Sequence, residues 1–244
     1  MIDEVKKMTT ISLFKFEENL NKEEVLKQLD GRKENEYYFR AKSSRNNEEE
    51  IEIDVWYEES IELGMHKVFS EDAYEIVQYL IEKGKEKIIR KIYCFLNLKK
   101  KTLEIYRGPD AITEGIKLKL EKVLTAKFSP ISLTSSQLIN IVNSYSSELK
   151  QAMFKYVYGF WYSIIRGTHL ENNEKYIQYL QTKPDSLRMI SVMPKIRYMS
   201  SREYMVTING DKGTIKMADG CYKWKPRFEV KQIVDIVSSV ASAF

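Results

Sequence analysis

Glu52 and Asp54 are the best-spaced pair for metal chemistry in the chain. They lie two residues apart in a segment where apolar and polar residues alternate, so both carboxylates belong to one face of a predicted strand. Two carboxylates on one face can hold Mg²⁺ for phosphodiester hydrolysis. The acidic run Glu48, Glu49 and Glu50 just before them is instead typical of a water-exposed strand face. We favour the solvated face and keep a divergent Mg²⁺-dependent nuclease as an alternative.

The sequence contains no other catalytic constellation. His66, His169, Cys94 and Cys221 are singletons, and they form none of the C-x-x-C, H-x-x-x-H or H-E-x-x-H spacings that bind zinc. The glycine-rich phosphate loop, the dinucleotide fingerprint and the G-x-S-x-G elbow are also missing. Cys94 stands in an apolar strand candidate, which favours an inert core cysteine over a thiol nucleophile. We therefore expect no enzyme activity, no metal and no cofactor.

Two stretches mix basic and aromatic residues, at positions 188–202 (RMISVMPKIRYMSSR) and 222–228 (YKWKPRF). Lysine and arginine neutralise phosphates and aromatic rings stack on bases, so this mixture favours sequence-tolerant nucleic-acid binding. A lysine turn at positions 99–101, followed by Arg107, adds a second basic rim. The candidate nucleic-acid-binding residues are Lys99, Lys100, Lys101, Arg107, Arg188, Lys195, Arg197, Arg202, Lys223, Lys225 and Arg227. The alternative is that these cations only face water while the aromatic residues anchor the last helix.

The formal net charge of +4 hides a strong asymmetry along the chain. Residues 1–82 carry 11 Lys and Arg against 21 Asp and Glu, a net charge of −10. Residues 83–127 carry 13 against 5 (net +8), and residues 128–244 carry 15 against 9 (net +6). The basic segment from residue 83 onward predicts a polyanionic partner. The acidic segment at residues 1–82 predicts contact with a basic protein surface. Solvated faces would produce the same count.

Hydrophobic periodicity indicates which elements position these residues. Apolar or period-two segments predict strands over residues 11–16, 37–41, 51–57, 88–98, 102–106, 204–208 and 213–217. Capping signals and a 3.6-residue period predict helices over residues 21–31, 70–83, 109–124 and 227–240, and one beginning at Thr134. Between the last two strands, Asn209 and Gly210 begin a strong hairpin signal.

Residues 152–165 (AMFKYVYGFWYSII) are the most aromatic stretch of the chain. Such a stretch is more often core than binding face, and we expect it to lie in a helical linker that joins two lobes. The predicted fold is α+β, with two small lobes of antiparallel sheet and helix connected by this aromatic-rich linker. The predicted domains are an N-terminal α+β lobe (1–127), the linker region (128–185) and a C-terminal α+β segment (186–244).

The sequence also indicates a cellular compartment. Residues 1–7 are charged and lack the apolar stretch of a signal peptide, and no run approaches the roughly 18 apolar residues of a membrane span. The two cysteines are far apart, which argues for a reducing environment. We expect a cytoplasmic protein that does not insert into a membrane.

Residues 91–124 (KIYCFLNLKKKTLEIYRGPDAITEGIKLKLEKVL) resemble the strand-hairpin-helix unit of the N-terminal lobe of Argonaute proteins. With its linker-like middle and second α+β segment, the chain resembles the N-terminal and linker regions of long Argonautes, without a PAZ, MID or PIWI part. It is similar in size, order and Lys/Ile/Tyr-rich character to the accessory proteins of short archaeal and prokaryotic Argonautes, which consist of MID and PIWI alone.

This resemblance implies a non-catalytic subunit that forms a heterodimer with a short Argonaute. The pair would hold a guide nucleic acid and its target DNA in defence against viruses or plasmids. The alternative is a stand-alone hairpin-and-helix DNA-binding protein, similar to TATA-binding-protein-like folds, that acts in transcription or replication. That alternative needs no Argonaute and prefers duplex DNA.

Overall fold

The computed structural model describes residues 4–6, 8–44, 47–60, 75, 78–79, 81–84, 87–106, 110–196, 198, 203–218 and 224–242. Its strands are β1 (Glu4–Lys6), β2 (Met8–Lys15), β3 (Lys33–Glu34), β4 (Tyr37–Ser43), β5 (Glu50–Ser60), β6 (Lys87–Asn97), β7 (Thr102–Tyr106), β8 (Ser129–Pro130), β9 (Ser146–Val157), β10 (Phe160–Arg166), β11 (Leu187–Pro194), β12 (Met205–Asn209), β13 (Thr214–Ala218) and β14 (Trp224–Pro226). Its α-helices are α1 (Lys22–Leu29), α2 (Asp110–Leu124), α3 (Ser135–Tyr145), α4 (Glu174–Thr182) and α5 (Arg227–Ser242). Antiparallel strands with helices confirm the predicted α+β class.

The chain divides into two compact units. Unit 1 comprises Met1–Phe16 and Phe128–Phe244, and unit 2 comprises Glu17–Lys127. This division differs from the three-part division predicted from the sequence, because β2 pairs with β13 and β9 pairs with β11. The N-terminal strand and the expected linker therefore lie in the same unit as the C-terminal segment.

Unit 2 is an antiparallel sheet in the order β7-β6-β5-β4-β3 with helices α1 and α2. Strand β4 alternates buried Tyr37, Phe39 and Ala41 with exposed neighbours, as its period-two pattern predicts. Helix α1 begins at the predicted cap, where the Asn21 side chain accepts hydrogen bonds from two backbone N–H groups of the first turn. Helix α1 packs against β4, β5 and α2. Most of the helix expected over residues 70–83 lies outside the described residues.

Unit 1 is an antiparallel sheet in the order β10-β9-β11-β12-β13-β2, with β8 added to β2 and β1 paired separately with β14. The hairpin predicted at Asn209 connects β12 to β13. Helix α3 begins at Thr134, whose hydroxyl forms a capping box with Gln137. Helices α3 and α4 both pack on β9. Within the described residues, no helix is long and apolar enough to cross a lipid bilayer.

The aromatic segment at residues 152–165 is a β-hairpin and not part of a helical linker. It forms β9 and β10, which pair antiparallel from Gln151 opposite Arg166 to Val157 opposite Phe160. Gly159 at the turn has a φ of +77°, a conformation that glycine adopts without strain. Aromatic and β-branched residues favour strands because their side chains pack well on a pleated surface. Residues 152–165 are therefore strand, while the rest of the predicted linker region contains the helices α3 and α4.

Candidate nucleic-acid interface

The lysine turn at positions 99–101 joins β6 to β7 in unit 2, as predicted. The side chain of Asn97 accepts a hydrogen bond of 2.8 Å from the backbone N–H of Lys100, which fixes the turn. Lys99 and Lys100 are exposed. The ammonium of Lys101 instead donates to the backbone oxygen of Glu17 at 2.6 Å and to Asn19 Oδ1 at 2.9 Å. Lys101 therefore anchors the segment before α1, and Lys99 is the more accessible cation.

The other described candidates lie in unit 1. Arg188 lies near the start of β11, where its Nε is 3.3 Å from Asp211 Oδ1, a carboxylate that it shares with Lys155. Lys195 follows the other end of β11 and is exposed, with its Nζ 3.4 Å from the backbone oxygen of Asn143. Arg227 is half-buried at the start of α5. The structure thus places Arg188 and Lys195 at opposite ends of one strand and does not bring them together.

The remaining candidates cannot be placed in the site. Arg107, Arg197, Arg202 and Lys223 lie outside the described residues, and for Lys225 only the backbone is described. By sequence count, unit 1 carries 18 Lys and Arg against 11 Asp and Glu, a net charge of +7. Unit 2 carries 21 against 24, a net charge of −3. The excess positive charge therefore belongs to unit 1.

Sequence reasoning missed the accessibility of the aromatic hairpin β9–β10. We expected its aromatic residues to be core, and most of them are exposed, including Trp161 at 71%, Phe160 at 62% and Tyr162 at 54%. Only Phe154 is fully buried, where it makes edge-to-face contacts with Tyr176 and Tyr179 of α4. The glycine turn within an aromatic and β-branched segment was the signal that could have predicted the hairpin. That pattern does not predict that the hairpin is exposed.

The two faces of β10 differ in their neighbours. Ser163 Oγ donates to the Tyr179 hydroxyl at 3.1 Å, so Ser163 and its alternate neighbour Trp161 belong to the α4 side. Phe160, Tyr162 and Ile164 point to the opposite side, which we call the outer face of β10. All three are exposed large hydrophobic residues. In the described part of the chain β10 pairs only with β9, so its other edge is free.

Two lysines each lie beside a pair of aromatic rings on the α4 side of the hairpin. The rings of Tyr156 and Trp161 lie 5.3 Å apart, and Lys183 Nζ sits 5.2 Å from the centre of the Tyr156 ring. A parallel set joins Tyr158 to Tyr179 at 5.3 Å, with Lys175 Nζ 5.8 Å from the centre of the Tyr179 ring. We call this set the aromatic–lysine row: Tyr156, Tyr158, Trp161, Tyr179, Lys175 and Lys183.

The lysines of the row differ from their neighbours in their electrostatic partners. Lys155, on the outer side of β9, donates to the carboxylate of Asp211, and this hydrogen bond raises the pKa of the lysine. Lys150 is paired with Glu148 at 2.6 Å. Neither Lys175 nor Lys183 forms an ion pair with a carboxylate among the described residues. The charges of these two exposed lysines are therefore available to an anionic ligand.

The acidic strand β5 shows no arrangement suited to a metal ion. Asp54 is 2.8 Å from Lys91 Nζ, and Glu52 is 2.8 Å from Lys42 Nζ, so each carboxylate has a lysine partner. Lys91 also lies over the ring of Trp56 at 4.8 Å. Among the residues whose placement is described, no group of three or more His, Cys, Asp or Glu could hold a metal ion. The β5 carboxylates thus act in cross-strand ion pairs.

Cys94 lies on β6 and is buried. Burial raises the pKa of its thiol, because the low-dielectric interior disfavours the thiolate. A neutral buried thiol is a poor nucleophile.

No protein-family model matches this chain, and no curated protein is significantly similar to it in sequence.

Proposed function

We propose that this chain is a non-catalytic accessory subunit that forms a heterodimer with a short Argonaute composed of MID and PIWI. In this proposal the two chains together hold a guide strand and its duplex with target DNA, in defence against viruses or plasmids. We infer a short Argonaute as the partner because residues 91–124 resemble the Argonaute N-terminal lobe. Those residues form β6, the lysine turn, β7 and α2, the order that the resemblance implies.

The observation that carries the proposal is the outer face of β10. Phe160, Tyr162 and Ile164 are neighbours on this face, and none is buried by the described residues of the chain. Contiguous exposed apolar surface typically marks a protein interface. Among the described strands β10 pairs only with β9, which leaves the edge beside this face open, and β10 carries no charge before its last residue, Arg166. An uncharged free edge strand is prone to pairing with another polypeptide, which supports a subunit rather than a solitary protein.

Co-expression tests the heterodimer. We expect the chain to co-purify in a 1:1 ratio with a co-expressed short Argonaute of its own organism. A Phe160→Ser/Ile164→Ser double variant should lose the complex, because it removes the apolar outer face without adding charge. The matched control is Leu118→Ser, which removes an exposed apolar side chain of similar accessibility (52%) from α2 in unit 2. A well-behaved monomer that shows no mass shift with any Argonaute would contradict the proposal.

The non-catalytic part needs its own assay. Purified protein incubated with single- and double-stranded DNA and RNA, in Mg²⁺ and in Mn²⁺, should leave every substrate intact. The reason is that Glu52 and Asp54, the best-spaced carboxylates, are each occupied by a lysine. Cleavage that disappears in Glu52→Ala or Asp54→Ala would overturn this part of the proposal and favour the nuclease alternative.

A further inference from the structure

We infer that the aromatic–lysine row is a binding site for single-stranded nucleic acid, with bases stacked on its exposed rings and phosphates held by Lys175 and Lys183. This inference rests on the proposed function in so far as it gives the subunit a site for an unpaired strand. The row lies on the α4 side of the hairpin, away from the outer face of β10.

The exposed rings provide the stacking surface. Trp161, Tyr156 and Tyr158 are each more than half exposed, although Tyr156 and Trp161 lie on β9 and β10 and Tyr158 lies in the turn between these strands. Two of these rings are held in position by contacts within the protein. The hydroxyl of Tyr158 hydrogen-bonds to Thr182 Oγ1 at 3.0 Å, and Trp161 rests against Tyr156. Rings that are already ordered lose little conformational entropy when a base stacks on them.

The two lysines provide the positive charge that binds phosphates. Lys175 and Lys183 are eight residues apart at the two ends of α4, which corresponds to about 12 Å along the helix axis. That separation exceeds the ~3.4 Å of helix axis that each phosphate of one strand occupies in B-DNA, so we assign the two lysines to different phosphates. Lys183 lies over the exposed ring of Tyr156, which keeps phosphate and base contacts adjacent there, whereas the ring beneath Lys175 is the buried Tyr179. A combination of cations with exposed aromatic rings is the general pattern of single-strand binding grooves.

The same features favour a single strand over a duplex. Bases within a duplex stack on one another and present only their edges, so ring faces of the protein can engage only unpaired bases. Every base has an aromatic face, and stacking therefore predicts little sequence preference. A purely apolar protein partner is the competing occupant, but it gives no role to Lys175 and Lys183, which have no carboxylate partner in the described part of the chain.

Fluorescence anisotropy with the full-length chain tests the site. The probes are a labelled thymidine oligonucleotide, a labelled uridine oligonucleotide and a duplex of equal length. We expect both single strands to bind more tightly than the duplex. Trp161→Ala should weaken single-strand binding by about 10-fold or more, the effect of losing one stacked base. Trp161→Phe, which keeps a ring, should retain most of the affinity, and so should Phe160→Ala on the outer face.

Salt dependence provides the readout for the lysines. Lys175→Gln/Lys183→Gln should flatten the logarithmic salt slope by about 1.4, at ~0.7 per lost single-strand phosphate contact. The matched control is Lys155→Gln, because that ammonium is already paired with Asp211 and should change the slope little. Unchanged affinity and slope in both the Trp161→Ala and the double-lysine variants would overturn the inference, as would equal binding of single strand and duplex.

Intrinsic fluorescence gives direct evidence that is independent of affinity. In a Trp56→Phe/Trp224→Phe background, Trp161 is the only tryptophan of the chain, and unlabelled single strand should quench its emission. No quenching at saturating oligonucleotide would place the strand elsewhere. All of these measurements use the chain without an Argonaute, so failure of the heterodimer leaves them interpretable. If the chain forms the Argonaute complex but does not bind single strands, this inference alone is rejected.

Discussion

Replacing Phe154 by alanine is expected to destabilise unit 1 by about 4 kcal/mol. Phe154 is fully buried on β9, and its ring makes edge-to-face contacts with Tyr176 at 5.8 Å and Tyr179 at 5.1 Å. Both tyrosines are buried residues of α4. Phe154 therefore connects the aromatic hairpin to the helix that carries Lys175 and lies beside Lys183.

The magnitude follows from the burial and the ring contacts. Truncating a buried phenylalanine to alanine typically costs ~3–5 kcal/mol, and each aromatic pair adds ~0.5–1.5 kcal/mol beyond the buried area. The complete burial of Phe154 and its two ring contacts place the variant in the upper half of that range. For a unit of this size about 1 kcal/mol shifts Tm by roughly 3–5 °C, so we expect Tm to fall by about 12–20 °C.

Thermal and urea unfolding followed by circular dichroism measure the effect, with Trp161→Ala as the matched control on the same hairpin. Trp161 is the larger side chain, but it is 71% exposed, and its removal should cost less than about 1 kcal/mol. Phe154→Leu, which keeps most of the volume, should cost under about 2 kcal/mol. A loss in Trp161→Ala as large as that in Phe154→Ala would refute the assignment of buried and exposed rings in β9–β10.

Three further predictions concern other parts of the chain. Lys101→Met should lower the free energy of unfolding by about 1–2 kcal/mol and Lys99→Met by less than about 0.5, because among the described residues only the Lys101 ammonium of the two donates hydrogen bonds. Equal losses in urea unfolding would contradict this. Gly213→Ala should destabilise by at least about 2 kcal/mol, since φ is +58° and the added methyl group would meet a backbone oxygen; an unchanged Tm would be the contrary result. In a Cys221→Ser variant, Cys94 should resist iodoacetamide at about pH 8 while the protein is folded, because burial raises its pKa, and rapid labelling would show an accessible thiolate.

Local sequence signals determined most of the secondary structure. Asn21 and Thr134 cap helices as predicted, because a side-chain oxygen that satisfies the first backbone N–H groups acts within a few residues. The hairpin begun by Asn209 and Gly210 also forms where the sequence predicts it. Buried and exposed positions alternate along β4, as expected from its period-two pattern. Each of these features depends on neighbours in the chain, and one sequence is enough to specify them.

The candidate site depended on contacts that the sequence does not display. Residues 152–165 contain enough aromatic side chains for a core, and the sequence alone favoured burial. Whether a ring is buried depends on what packs above it: α4 covers Phe154, while Trp161 on the neighbouring strand stays exposed. The division into units likewise required the pairing of β2 with β13, about two hundred residues apart.

The lysines show the same division between what the sequence and the tertiary structure determine. From the sequence, Lys101, Lys155 and Lys183 are equivalent cations in basic or aromatic surroundings. The fold gives Lys101 two hydrogen-bond acceptors and gives Lys155 the carboxylate of Asp211. From the residues that the structure describes, Lys183 receives only an aromatic ring and a long contact to a backbone oxygen. Composition thus determined the excess of positive charge. Tertiary structure decided which charges remain available, because neutralisation of a lysine requires a partner within a few ångströms, and only the folded chain brings that partner near.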